Sequence, residues 1–228
     1  MRESPILFSG PMVRAILEGR KTQTRRIVKL PHTNPLGEWE PTTIGGENGG
    51  KTAAGETVPL QGAIWHTRTA DCLLCPHGQP GDRLWVRETC QADELDSGLD
   101  GVRYPADGGF RAIEDSSEAA GRWGELYAYR GTTGATVPAI HMPRWASRIT
   151  LEITGVRAER LQNISESDAR DEGVTIADHH MRGYCAGAYL PPGIRAFHDL
   201  WDSLNAARGH GWDTNPWVWV VEFRRIES

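Results

Sequence analysis

Two short stretches concentrate the residues that could do chemistry. One is Gly19-Arg20-Lys21-Thr22-Gln23-Thr24-Arg25-Arg26; the other is Ile164-Ser165-Glu166-Ser167-Asp168-Ala169-Arg170-Asp171-Glu172-Gly173. Around the first, Arg14, Arg20, Lys21, Arg25, Arg26 and Lys29 stand against a single acid, Glu18. On a chain whose net charge is −5, a local basic patch of this kind suits a discrete anionic ligand better than long non-specific contact with duplex DNA. A solvated basic face is the alternative reading of the same charges.

Two further groupings carry chemistry of other kinds. His66, Cys72, Cys75 and His77 place two thiols and two imidazoles within twelve positions, and Cys-x-x-Cys is a zinc-knuckle element. Its second half is missing at the usual spacing, because Cys75-Pro76-His77 is too tight. No metal is therefore expected, with this cluster as the alternative. Asp178-His179-His180 with Cys185 reads as a polar loop. Among the nine tryptophans, Trp217 and Trp219 share a strand face with Val221 and Phe223, and Trp201 and Trp212 come just before. Tryptophans stack on unpaired bases, but a stripe at strand spacing belongs more often to a core. Trp85 and Trp145 are then the members expected at the surface.

Local patterns predict the elements that position these residues. PILF (5–8) reads as a buried strand, Ser9-Gly10-Pro11 as the entry to a helix, and Met12, Val13, Ile16 and Leu17 as its apolar face, with Gly19 ending it. Residues 31–80 are rich in Gly, Pro and Thr without sustained periodicity and read as a long excursion. GDRLWVRETC (81–90) alternates as a strand, and 92–140 reads as a second irregular insertion with one short strand at ELYAYR. RITLEITGVRAERL (148–161) reads as strand, turn and strand. Ser165 to Asp168 is a capping box opening a helix that Gly173 stops. Ile194, Phe197, Leu200, Trp201 and Leu204 mark an amphipathic helix, and WVWVVEFRRI (217–226) closes the chain as a strand.

In this layout the chain resembles the ASCH family of the PUA-like superfamily, whose members pair a G-x-K-T-x-T-x-R segment after the first helix with a short acidic helix before the closing strands. The resemblance covers about residues 5–29, 81–90, 145–175 and 195–226. The longer features GQPGDRLWVRET, IHMPRWASRITLEIT and NPWVWVVEF are similar to the version found in bacteriophages and prophages. The resemblance implies an α+β fold with a mainly β core, a small mixed β-barrel with short flanking helices. Residues 1–228 would form one domain with insertions at about 31–80 and 92–140. It also implies a nucleoside, nucleotide or single-stranded RNA as partner. Small ASCH proteins that hydrolyse N-acetylated cytidine use a Lys, a Thr and a Glu that correspond by position to Lys21, Thr24 and Glu172. Amide hydrolysis needs a nucleophile, a base to take its proton and a group to hold or shuttle that proton. A Lys amine serves as base only if burial or adjacent positive charge makes it neutral. In a regular strand positions 21 and 24 face opposite sides, so the segment must bend for both to meet one substrate. Arg20, Arg25, Arg26 and Trp85 complete the expected ligand-binding set, and no cofactor is implied. Two alternatives stay open: a binding module for RNA or a modified base without turnover, and a phage accessory protein that acts through protein contacts.

Composition sets the outer limits. With 39% apolar and 24% charged residues the chain has the make-up of a globular protein. MRESPILFSGPM lacks the apolar stretch of a signal peptide, and no segment approaches a membrane span, which predicts a cytoplasmic protein. Four cysteines in 228 residues read as reduced thiols rather than a disulfide framework.

Overall fold

The computed structural model describes residues 1–46, 51, 55–129, 136–176 and 190–226 and shows a mixed α+β protein, mostly strands. In chain order the elements are β1 (Glu3–Leu7), α1 (Gly10–Leu17), β2 (Gln23–Ile27), β3 (Trp39–Ile44), β4 (Gln61–His66), β5 (Cys72–Leu74), β6 (Arg83–Arg87) and β7 (Cys90–Glu94). They continue with β8 (Asp100–Tyr104), β9 (Gly109–Ala112), α2 (Ser117–Ala128), β10 (Thr136–Val137), β11 (Thr150–Arg160), α3 (Glu166–Asp171), α4 (Pro192–Asn205) and β12 (Trp217–Ile226). Among the described residues no helix is long and apolar enough to cross a membrane.

The chain gathers into two compact units, the first made of Met1–Arg2, Gly19–Arg83 and Glu152–Arg224, the second of Glu3–Glu18, Leu84–Leu151 and Arg225–Ser228. In the first unit β11, β12 and β2 are neighbours in that order, and β12 runs antiparallel to β2 with Val221 opposite Thr24. A separate antiparallel sheet, β3-β4-β5, sets Trp39 opposite His66 and Trp65 opposite Cys72. Leu161, Ile164, Ala169, Phe197, Trp201, Trp212, Val218 and Val220 form the core against which α3 and α4 pack. In the second unit β1 lies beside β6, and β10-β7-β8-β9 form a four-stranded sheet. Its core joins Cys90, Ala92, Val102, Tyr104, Leu126, Val137, Met142 and Ala146.

The entry strand, α1, the capped α3, α4 and the closing strand all stand where the periodicity placed them. Gly19 and Gly173, with φ of +72° and +79°, end α1 and α3 in the left-handed region that a side chain disfavours. The aromatic residues Trp201, Trp212, Trp217 and Trp219 are buried, as a core stripe requires.

Several expectations are corrected. Residues 31–80 hold the sheet β3-β4-β5, and 92–140 hold most of β7–β10 together with α2. The segment ELYAYR contributes to the end of α2 instead of a strand: Ser116 caps the helix by accepting a hydrogen bond from the Ala119 amide, and Ala119 and Leu126 fall on its buried face. Residues 150–160 form one uninterrupted strand, with no turn at Gly155. Trp85 is only 9% exposed, whereas Trp65, at 36%, is the exposed tryptophan. Leu204 also lies outside the buried stripe of α4.

A close backbone approach holds β4 against β11. A Cβ at Gly62 would stand 2.5 Å from the Val156 carbonyl oxygen and 2.6 Å from Arg157 Cα, both backbone atoms that cannot yield. At Gly155 the nearest obstacle, at 2.6 Å, is the Glu222 carboxylate, the end of a flexible side chain. Gly62→Ala should therefore cost about 3 kcal/mol and Gly155→Ala about 1 kcal/mol or less, read as shifts in the urea midpoint of unfolding.

Candidate functional site

Gly19 turns the chain out of α1 and sends the basic segment along the end of α3, within the first unit. Arg20 donates to the Gly173 carbonyl at 3.0 Å, the Thr22 amide donates to the Asp171 carbonyl at 2.9 Å, and Lys21 and Glu172 form an isolated antiparallel bridge. The capping box of α3 fixes the other side: the Asp168 amide donates to Ser165 Oγ at 3.0 Å, and Asp168 Oδ2 receives the Ser165 hydroxyl at 2.8 Å. Segments about 150 positions apart in sequence are thus joined through backbone bonds before any side chain is considered.

Side chains then add a chain of alternating charge. Lys21 Nζ donates to Glu172 Oε2 at 2.8 Å and to the Glu172 carbonyl at 2.9 Å. Arg25 reaches the other carboxylate oxygen of Glu172 at 3.1 Å, and its remaining nitrogens meet Glu159 at 2.6 Å and Asp168 at 3.5 Å. Arg157 pairs with Glu159 at 3.2 Å, with Asp168 at 2.9 Å, and with Glu222. Gln23 Nε2 donates to the Asp168 carboxylate at 3.0 Å, and the Phe197 ring lies 5.6 Å from the Arg25 guanidinium carbon. The Lys21 and Arg25 side chains are fully covered, and Glu172 is 4% exposed.

Burial pulls the Lys21 amine below the usual lysine range; Glu172 opposes that shift, and the positive charges of Arg26 and Arg25 reinforce it. Asp168 shows the converse balance. Burial alone would raise its carboxyl, yet hydrogen bonds from Ser165 and Gln23 and the charges of Arg157 and Arg25 bring it down to about 2. Asp168 therefore stays ionised at any ordinary pH.

Of the three residues aligned with catalysis, the structure brings Lys21 and Glu172 together. Thr24 is 2% exposed on β2, and among the described residues its hydroxyl has no hydrogen-bond partner. Strand alternation turns Thr24 away from Gln23 and Arg25. A buried hydroxyl without a protein partner is costly and marks a place where a ligand or water completes the bonding. The cations proposed for anion binding fare differently. Arg25 is committed to three internal carboxylates and Arg20 to a carbonyl. Trp85 belongs to the second unit, buried beside the guanidinium groups of Arg87 and Arg144 at 5.0 and 5.8 Å.

His66, Cys72, Cys75 and His77 do not gather. Trp65 opposes Cys72, so alternation sends the His66 ring to the other face of the sheet, where it is fully buried; its Nδ1 accepts from the Thr69 amide at 3.2 Å and its Nε2 meets the Asn34 carbonyl at 3.3 Å. Burial raises the Cys75 thiol to about 11, and burial followed by the charge of Arg26 lowers His77 to about 4. Among the described residues no three His, Cys, Asp or Glu side chains converge on a metal position. Asp178, His179, His180 and Cys185 lie outside the described residues.

Sequence reasoning overlooked Glu159, Arg157, Asp168 and Gln23 as members of the network. The available signal was Arg157 and Glu159 at i and i+2 on β11, which puts both charges on one face of a strand. No protein-family model matches the sequence, and no curated protein or solved structure matches it.

Two measurements check the electrostatics. Glu172→Ala leaves Lys21 and Arg25 facing each other across a buried gap, and should cost about 3–5 kcal/mol in urea unfolding, with Glu172→Gln falling between it and wild type. The Asp168 carboxyl titrates at about 2 in the folded chain and near 3.9 in an unfolded one, so its contribution is present above about pH 4 and is lost as the pH falls through 2. Asp168→Asn should flatten the acid limb of stability against pH over that window.

Proposed function

We propose that the protein is a PUA-like, ASCH-type protein that holds a nucleoside or an unpaired RNA base at Lys21, Thr24 and Glu172 and hydrolyses an N-acylated cytidine-type amide there. The observation that carries this reading is the buried Lys21–Glu172 contact in the same short segment as Thr24, a buried hydroxyl that no described residue satisfies. The barrel architecture belongs to the same proposal. It is supported by the order of helix, basic segment, acidic helix and closing strand, and by the way α3 meets the segment after α1.

In this mechanism substrate binding draws Thr24, which strand alternation turns away from Arg25, to the depressed amine of Lys21, which takes the proton of the Thr24 hydroxyl as its oxygen attacks the acyl carbon. Glu172 orients Lys21 and stabilises the ammonium that forms. The proton then passes to the exocyclic nitrogen as the carbon–nitrogen bond breaks, releasing cytidine and an acylated Thr24. Water, deprotonated by the same amine, then attacks the ester carbon; the bond to the Thr24 oxygen breaks, the proton returns to that oxygen, and the acyl group leaves as its carboxylic acid. The reaction draws on no metal.

Binding without turnover is the second reading, and one observation favours it. Lys21 donates to both a carboxylate and a carbonyl of Glu172, an arrangement that holds an amine as ammonium and unable to act as a base.

Hydrolysis of N-acetylcytidine to cytidine by the purified chain separates the two. The catalytic reading expects turnover that survives a chelator, rises with pH to a plateau whose midpoint lies below the ordinary lysine range, and falls about 100-fold or more in Thr24→Val and Lys21→Met proteins whose circular dichroism matches wild type. Saturable binding without product would establish the second reading. Undiminished turnover in Thr24→Val would remove Thr24 as nucleophile.

A further inference from the structure

The first unit contains a cleft of about 570 Å³ that shares no residue with the Lys21 site; Gln61, Leu74, Cys75, Pro76, Gln79 and Asp82 are among its lining residues. Its polar groups are built in. Gln61, at the start of β4, is 5% exposed, and its Nε2 donates to Gln79 Oε1 at 3.1 Å. Asp82 is 8% exposed and anchors the surrounding loop, its two oxygens accepting from the Arg2 amide at 2.7 Å and the Gln79 amide at 3.2 Å. Gly78, with φ of +129° and no space for a side chain, lets that loop close over Asp82.

The amide-to-amide bond consumes one donor and one acceptor. Gln61 Oε1 and Gln79 Nε2 are left, an acceptor and a donor on two residues of the same lining, and among the described residues neither has a hydrogen-bond partner. An amide oxygen this deeply buried is expensive to leave unsatisfied. The remaining lining is apolar or neutral. Leu74 is 47% exposed, Pro76 is exposed beside it, and the Cys75 thiol stays protonated because burial raises it. Arg2 is the one cationic side chain among the lining residues, and the Asp82 carboxylate, bonded to the Arg2 amide, brings a negative charge into the same lining. Such a lining rejects a phosphate and accepts a flat, uncharged ring that carries a donor next to an acceptor.

We propose that this cleft is a second ligand site that takes a neutral aminated heterocycle of the adenine or cytosine type, whose exocyclic amine donates to Gln61 Oε1 while the adjacent ring nitrogen accepts from Gln79 Nε2. Glutamine amides read adenine in this bidentate sense elsewhere in nucleic-acid recognition. Leu74 and Pro76 supply the surface on which the ring lies. The site rests on its own observations and stands whether or not the Lys21 segment is catalytic.

Titration of the full-length, nitrogen-15-labelled chain with adenosine tests it by NMR, reading the side-chain amide signals of Gln61 and Gln79. Saturable shifts with a dissociation constant between about 10 μM and 1 mM are expected for a small neutral ligand. Purine riboside, which lacks the exocyclic amine, should bind about tenfold more weakly, as should adenosine to Gln79→Leu. Thr24→Val should leave these shifts unchanged. Absence of saturable shifts, equal affinity in Gln79→Leu, or equal competition by inorganic phosphate would overturn the proposal. Loss of the shifts in Thr24→Val would also overturn it, because adenosine would then be entering at the Lys21 segment.

Discussion

The carboxylate of Glu172 is shared by two buried cations, and the geometry of the first unit around it follows from that sharing. One oxygen takes Lys21 and the other takes Arg25, so loss of the carboxylate would leave two buried cations facing each other. Desolvating three such groups costs more than a simple pair returns, and the deficit is reduced by extending the network to Glu159, Asp168, Arg157 and Glu222 until its outer members reach water. The network's value lies in specificity. It admits one register of the segment after α1 against the end of α3, and it places β2 against β12 in the same stroke.

This constraint changes the meaning of the basic run. Read as sequence, six cations between Arg14 and Lys29 suggest a surface for phosphate. In the structure Arg14 donates to the Ala106 carbonyl, Arg20 to the Gly173 carbonyl, and Lys21 and Arg25 are neutralised internally. The charge of Lys21 and Arg25 is spent on folding, while Arg14, Arg20 and Lys29 stay exposed. What remains at the site is hydrogen-bonding capacity in a low-dielectric setting, which discriminates among neutral heterocycles better than it attracts a polyanion. The net charge of −5 points the same way.

Features set by local chemistry were legible in the sequence. The capping box at Ser165 and the glycines at 19 and 173 mark helix ends because only a few residue types satisfy those backbone positions. The closing strand was legible because a run of large apolar residues buried on both faces leaves few alternatives. The sheet β3-β4-β5 was not, since its strands run only three to six residues, β3 pairs with β4 across a long gap, and β4 is buried at nearly every position, which leaves no alternation to read. In α2 the alternation of Leu126 and Ala128 imitated a strand; the helical spacing of Ala119, Trp123 and Leu126 prevailed because that face packs on Tyr104 and Val102. Lys21 and Glu172 were named together through the family resemblance, by position, and not by a local pattern of their own. Glu159 and Arg157 were missed because a charged pair on a strand ordinarily means a solvated face.

Thr24 and Glu172 also differ in what they contribute to the fold, and this separates structure from function within one site. Glu172 holds two cations, so a change there disturbs folding and any chemistry together. The Thr24 hydroxyl holds nothing among the described residues, so an isosteric apolar side chain removes an unsatisfied group and leaves the packing in place. A protein selected for stability alone would gain by that exchange. Keeping a hydroxyl at a buried position where it contributes no hydrogen bond is understandable if its partner arrives with the ligand, and the same reasoning applies to the Gln61 amide in the second cleft. In the two proposed sites Thr24 and Gln61 would each find that partner on the ligand.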